Sequence, residues 1–179
     1  ESVGSTREGH SAPNHRITSI VEPSFEDTEN RIIVTLYNQN IYRVIEIIEL
    51  ANKYGRRVVF FDDELKQTIQ EIARLGYYHV PAGLEITKDN FNNDLEKVVV
   101  IISGSGSSIF KRVHKIATKE DTVLEFRESD TIIIASPMVP GTELEATRME
   151  NDLYKEGAKV VAVDSKRTFS MHAAIEDLK

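Results

Sequence analysis

The segment SGSGSS, residues 103–108, contains residue types that hold phosphate groups in many proteins. It follows an apolar run and precedes a helical pattern, so its amides and hydroxyls would lie at a helix N-terminus, where anions bind readily. It lacks the third glycine of the dinucleotide fingerprint and the lysine of a P-loop. Two interpretations remain open, a phosphate-binding turn and a tight corner that packs a helix on a strand. The residues of the turn favour the corner.

Three consecutive acids, Asp62, Asp63 and Glu64, could together hold a metal ion. They also stand at the beginning of a helical pattern, where acidic side chains are expected because they interact favourably with the helix dipole. We favour the second interpretation. The sequence therefore predicts a helix N-terminus at these acids rather than a metal site.

The histidines suggest different roles. His114 lies in the basic segment KRVHK, which we interpret as a solvated face of a helix. Three others have no metal-ligand spacing: His10, His15 and His79. His172 follows the last apolar run and a short loop, where a side chain would project toward a ligand, so a functional and a structural role are both open. No Ser–His–Asp, H-E-x-x-H or H-x-H-x-D-H pattern occurs locally, so these residues complete no catalytic site by themselves.

Regular alternation of apolar runs and helical patterns must position these side chains. Strands are predicted at 31–36, 56–61, 97–103, 130–136 and 158–164. Helices are predicted at 17–25, 40–55, 62–76, from the SGSGSS turn to Ala117, and at 142–157. Because nearly all-apolar strands that alternate with helices are typical of a parallel sheet covered on both faces, we predict an α/β fold, a Rossmann-like three-layer domain.

In an open parallel sheet, ligands bind outside the carboxyl ends of the strands. Four predicted loops lie at that edge, with the sequences LYNQN, FFDDE, SGSGSS and ASPMVPG. The candidate residues described above are thus expected to come together there.

Composition limits the kinds of function. The 179 residues fit one domain, and no apolar run is long enough to span a membrane. No signal peptide is evident, and the absence of cysteine excludes disulfides and thiolate metal sites, which suits a cytoplasmic protein. The net charge of −7 argues against diffuse electrostatic binding of nucleic acid. A polyanion would have to bind at a local site.

Several segments, read together, resemble the β-CASP domain of RNase J-type metallo-β-lactamase nucleases. ESVGSTREGH resembles the family's acid–Ser–Thr–Asn segment, and RIIVTLYNQNIYRV its strand–Asn–x–His–Arg–Val segment. SGSGSS stands at the family's Thr–Gly–Ser–Gln–Gly–Glu–Pro, and ASPMVPG resembles Ser–Pro–Ile–Pro–Gly. NDLYKEGAKVV resembles the last helix and strand, and SMHAAIEDLK resembles Ser–Gly–His–Ala–Ser–Gln–Glu–Asp–Leu–Lys. These matches occur in the family's order along nearly the whole chain.

The resemblance implies a domain inserted as a lid over RNA into a metallo-β-lactamase core that holds two zinc ions. The implied reaction is hydrolysis of a phosphodiester by a metal-activated water, as a 5′-3′ exonuclease, an endonuclease or both. The zinc-binding H-x-H-x-D-H motif is absent from residues 1–179. We therefore expect residues 1–179 to be a single β-CASP domain from a longer protein, with zinc in the full-length parent and none in this part.

The same resemblance assigns roles to single residues. It places His172 and Ser170 on positions that contact the phosphate of RNA, and Glu1 on the acidic first motif, which makes these three the expected catalytic residues. An imidazole so placed can donate a hydrogen bond to a phosphoryl oxygen as charge develops there.

Four further positions are expected to bind RNA or its phosphates. Gly104 and Ser105 match the segment that contributes to a pocket for a 5′-monophosphate. Asn40 and Arg43 match the asparagine and the arginine of the strand–Asn–x–His–Arg–Val motif. The expected partners are thus RNA, the metallo-β-lactamase core of the same chain, and RNase J-type subunits in a homo- or hetero-oligomer, with no membrane.

The departures from the family pattern indicate weaker activity. Residues 62–64 are acids where active members have Gly–Arg–Ser, Tyr42 replaces a histidine, and Met171 replaces a glycine. Exchange of a cation for acids should weaken phosphate capture. Two alternatives remain open: a degenerate accessory subunit that supports assembly with an active partner, and a stand-alone nucleotide-binding α/β domain.

Overall fold

The computed structural model describes residues 5–10, 17–26, 29–163 and 173–179. Its strands are β1 (Ile32–Tyr37), β2 (Arg57–Phe60), β3 (Val98–Gly104), β4 (Thr131–Ile134) and β5 (Lys159–Ala162). Its α-helices are α1 (Thr18–Glu26), α2 (Ile41–Lys53), α3 (Asp63–Arg74), α4 (Ser108–Ala117) and α5 (Glu143–Lys155), and short 3₁₀ helices occupy Lys88–Asn90 and Ile175–Asp177. The strands form one parallel sheet in the order β2-β3-β1-β4-β5.

Successive side chains of a strand point to opposite sides of the sheet. Because nearly every strand residue is apolar, both faces of the sheet are apolar. Val34 packs in a cluster with Ile47 of α2, whereas its neighbour Ile33 packs in a second cluster with Phe110 of α4 and Leu153 of α5. Helices α1 to α3 cover one face, and α4 and α5 cover the other. The predicted three-layer α/β fold is confirmed.

The predicted elements are all present, with shifted ends. The last strand, predicted to begin at residue 158, begins at Lys159 and ends at Ala162, and the helix predicted from residue 62 begins at Asp63. The connection after α3 contacts the sheet. It lies along the outer edge of β2, where the Val58 N–H donates to the Leu84 carbonyl and the Ile86 N–H donates to the Val58 carbonyl, both at 2.8 Å. It thereby covers an edge that would otherwise expose unpaired backbone groups.

A buried ion pair joins the amino ends of β1 and β4. Arg31 and Asp130 are 2% and 1% exposed, and the guanidinium donates to both carboxylate oxygens, at 2.9 and 2.6 Å. The same guanidinium donates to Asn93 Oδ1 at 2.9 Å and to the Glu125 carbonyl at 2.6 Å. The pair therefore connects two strands and two loops at the edge opposite the candidate ligand edge.

The first and last described segments contact each other. The Ile175 N–H donates to the Arg7 carbonyl at 2.9 Å, and the Glu176 N–H donates to the Gly9 carbonyl at 3.3 Å. A side-chain contact joins His10 Nδ1 and Asp177 Oδ1 at 2.9 Å. Residues 5–10 and 173–179 are thus held together.

Among the described helices, none has the length and apolar character needed to cross a bilayer.

Candidate functional site

The carboxyl ends of β1, β2, β3 and β4 bring all four predicted loops to one edge of the sheet. Tyr37 and Gly104 are register partners, and the Asn38 N–H donates to the Gly104 carbonyl at 3.0 Å. The hydroxyls of Thr35, within β1, and Ser136 are 2.8 Å apart, which joins β1 to the loop after β4. Ligands of parallel α/β sheets bind at such an edge.

The SGSGSS turn is closed on itself. Ser108 Oγ donates to the Ser105 carbonyl at 2.6 Å and accepts the Ser105 N–H at 3.0 Å. A Cβ on Gly104 would lie 2.9 Å from Ser108 Oγ and 3.2 Å from the backbone nitrogen of Ile109, so the Ser108 side chain would have to move and the start of α4 would have to shift slightly. The turn therefore has the geometry of a tight corner, and its part in phosphate binding stays a prediction.

Replacement of Gly104 by alanine is expected to lower the free energy of unfolding by about 1–3 kcal/mol, because the added methyl overpacks the contact between β3 and α4. Urea denaturation measures this change. Ser107→Ala is the matched control, since Ser107 stands at the N-cap of α4 and makes no side-chain cap bond. Equal stability of the two variants would show that the corner can relax without cost.

Asp62 stands at the N-cap of α3, but its side chain makes no cap bond. Instead its buried carboxylate accepts the Ser103 N–H at 2.5 Å and pairs with Arg112 of α4. The prediction of a helix N-terminus is confirmed, with Asp63 and Glu64 in the first turn. However, Asp62 links β3 to α4, and Arg112 offsets its charge.

This link bears on the expected loss of phosphate affinity, because only two of the three acids remain as exposed negative charge at this position. Asp63 and Glu64 are exposed, and Glu64 accepts a hydrogen bond from Asn38 Nδ2 at 3.0 Å. Within the described residues, no group of three or more His, Cys, Asp or Glu side chains is placed to hold a metal ion.

Unsatisfied polar atoms gather at the beginning of α2. The Oδ1 atoms of Asn38 and Asn40 and the Nε atom of Arg43 are buried and have no hydrogen-bond partner in the described part of the chain. Arg43 is 6% exposed, and burial lowers the pKa of its guanidinium, an effect that Glu46 opposes through its charge. Each unsatisfied buried group costs about 1–3 kcal/mol. The sequence had pointed to Asn40 and Arg43 only through the family resemblance.

The predicted solvated face of α4 is confirmed, because Lys111, Arg112 and Lys115 are exposed, but part of it also pairs with acids. His114 Nδ1 lies 2.6 Å from Asp152 Oδ2 on α5, and this hydrogen bond, with a second one from Lys155, lowers the pKa of Asp152. Lys111 approaches Glu145 of α5 at 3.9 Å. Lys111 and His114 meet acids of α5 because α4 and α5 pack side by side, which the periodicity of one helix does not reveal.

The seven predicted site residues thus fall into two groups. The structure places Asn40, Arg43, Gly104 and Ser105 around the adjacent ends of β1 and β3. The other three lie outside the described residues: Glu1, Ser170 and His172. Their roles stay predictions.

Comparison with known proteins identifies relatives of the chain. A family model described as Ribonuclease J, beta-CASP domain, matches residues 29–153. Over its full length the chain is 26% identical to Ribonuclease J2 of Bacillus subtilis (strain 168) and 25% identical to Ribonuclease J of Helicobacter pylori (strain B128). It is 23% identical to Ribonuclease J 2 of Staphylococcus epidermidis (strain ATCC 12228 / FDA PCI 1200). The chain spans 32%, 26% and 32% of the length of these three relatives.

Proposed function

The chain belongs to the β-CASP domain family of ribonuclease J, and from this premise we propose that it positions RNA for a ribonuclease. The observation that carries the proposal is the group of four predicted RNA-binding residues at the adjacent ends of β1 and β3. There Asn40 and Arg43 contain buried polar atoms without partners in the described residues: a ribose hydroxyl of RNA would donate to Asn40 Oδ1, and an RNA phosphate would accept from Arg43 Nε. The match to the family model confirms the predicted family. The RNA contacts are our inference.

The chemistry of the reaction indicates which steps this chain performs and which the rest of its protein performs. Hydrolysis of a phosphodiester by a metal-activated water needs a set of metal ligands. No such set is present among the described residues, so we assign the zinc ions to a metallo-β-lactamase core outside this chain and derive no step through them. The chain's own part is to hold the RNA backbone and keep the scissile phosphate in place.

An inserted domain needs its two ends at one place. The backbone bonds of Arg7 and Gly9 with Ile175 and Glu176 meet this requirement and support the proposal that residues 1–179 form one β-CASP domain within a longer chain. The proposed partners are accordingly RNA, the core of the same chain, and RNase J-type subunits of a homo- or hetero-oligomer.

A second candidate is an accessory subunit of low activity. Two observations favour it: the acids Asp63 and Glu64 in place of the family's Gly–Arg–Ser segment, and similarity to relatives named Ribonuclease J2. The pairing of Asp62 with Arg112 reduces the electrostatic difference from an active member, because one of the three acids is compensated within the domain.

Arg43 offers a test of the proposed RNA site. The variant Arg43→Met removes a buried charge that has an unsatisfied Nε and that Glu46 offsets only in part, so stability should stay equal or rise, since desolvation of a charge is costly. RNA affinity of the full-length protein should fall about tenfold or more, because a hydrogen bond to a charged group contributes about 1.5–3 kcal/mol. Fluorescence anisotropy with 5′-monophosphorylated RNA and urea denaturation measure the two quantities.

The matched control for this test is Arg57→Met, which removes the same charge from an exposed position at the opposite end of the sheet. Its RNA affinity should change little. If the two variants bind RNA equally well, Arg43 has no contact with RNA. If Arg43→Met loses stability instead, the guanidinium has a structural role, and the proposed site is wrong at this residue.

A further inference from the structure

An open cleft of 260 Å³ lies beside the candidate RNA edge, between α4, α5 and the ends of β4 and β5. Its lining includes Phe110, Ser136, Met138, Met149 and Glu150. Phe110 belongs to the first turns of α4, directly after the SGSGSS turn, and Ser136 follows β4. The cleft therefore adjoins the loops that are proposed to hold RNA phosphates.

The walls of the cleft are mainly apolar, and its polar side chains are those of Ser136 and Glu150. Phe110 and Met149 are almost fully buried and form its floor, whereas Met138 is 57% exposed at its mouth. The Ser136 hydroxyl is already bonded to Thr35. The charged group in the lining is the exposed carboxylate of Glu150.

This combination selects for a flat, uncharged ring with N–H groups at its edge. Aromatic side chains stack on the face of a ring, and thioethers also make favourable contacts with rings. A carboxylate accepts hydrogen bonds from the exocyclic amine of a base, and it repels a phosphate. Drug-sized ligands occupy pockets of about 300–1,000 Å³, so 260 Å³ suits a smaller ring system such as a nucleobase.

We propose that this cleft holds one nucleobase of the bound RNA, with Met138 against the face of the base and Glu150 at its edge. The inference rests on the proposed function and adds a base-specific contact to it. A base that carries an exocyclic amine is preferred over uracil, which has none. With the base in the cleft, the sugar and phosphate of the same nucleotide would lie toward the neighbouring turn at Gly104 and Ser105.

The test uses the full-length protein and short 5′-monophosphorylated RNAs, each with one abasic position, with binding measured by anisotropy in the presence of EDTA. Met138→Ala should weaken binding of intact RNA about two- to tenfold, the range for loss of a thioether contact with a ring. It should have no effect on the one RNA that is already abasic at the nucleotide in the cleft. Glu150→Gln should reduce the discrimination against uracil at that nucleotide.

Tyr154→Ala and Glu156→Gln are the matched controls, because both residues are at the far end of α5 and Tyr154 is 67% exposed. Met138 and Glu150 are themselves exposed, so unchanged urea denaturation is expected for all four variants. If RNA binds tightly and Met138→Ala behaves like the controls with every RNA, the cleft holds no base and the inference is overturned. If the unaltered protein binds no RNA, the proposed function itself fails.

Discussion

Replacement of Arg31 by methionine is expected to lower the free energy of unfolding by about 3–5 kcal/mol, the cost of removing one partner of a buried ion pair. Asp130 is 1% exposed, so the variant would leave a carboxylate inside the protein without its cation. Asn93 Oδ1 and the Glu125 carbonyl would also lose the guanidinium donor that holds their loops. A typical domain is stable by about 5–15 kcal/mol, so the variant should lie close to the limit of folding.

Urea denaturation measures the loss, and a surface pair provides the control. Arg74 pairs with Glu71 where both side chains are exposed, by 73% and 61%, so Arg74→Met should change stability by less than about 1 kcal/mol. The double variant Arg31→Met with Asp130→Leu should recover part of the loss, because an apolar pair of similar size avoids the uncompensated charge. A loss for Arg31→Met no larger than that of the control would contradict a buried pair.

His172→Ala in the full-length protein is expected to slow cleavage of a 5′-monophosphorylated RNA by about 10²–10³-fold. This is the range found when one donor to a developing oxyanion is removed. The expectation rests on the resemblance of SMHAAIEDLK to the family segment, which places His172 where the RNA phosphate is contacted. Zinc content should not change, because the predicted role of His172 is a phosphate contact.

His79→Ala is the matched control, since His79 is an exposed histidine in the connection after α3. It should cleave RNA at the unaltered rate. If the unaltered protein is nearly inactive and neither variant changes its rate, the accessory-subunit candidate replaces the catalytic one. If His172→Ala loses zinc as well as activity, the phosphate role assigned to His172 is wrong.

Local patterns were sufficient for the secondary structure and the layers. The run from Val98 to Ile102 is short, β-branched and apolar at every position, which is typical of a strand buried on both faces, and the helices between such runs carry apolar residues at helical spacing. A sheet of this kind must place its ligand loops at the carboxyl ends of its strands. The fold class and the edge that holds Asn40 and Gly104 were therefore accessible from the sequence.

Contacts between distant parts of the chain were decided only by the tertiary structure. Arg31 and Asp130 are 99 residues apart in the chain. Asp62 accepts a hydrogen bond from the Ser103 N–H, 41 residues away. These partners meet because β1 lies between β3 and β4, and β2 lies beside β3. Strand order depends on the packing of all layers at once, whereas hydrophobic periodicity reports only which side of one element is buried. The sequence thus determined which segments are buried, and the tertiary structure determined which charges they bring together.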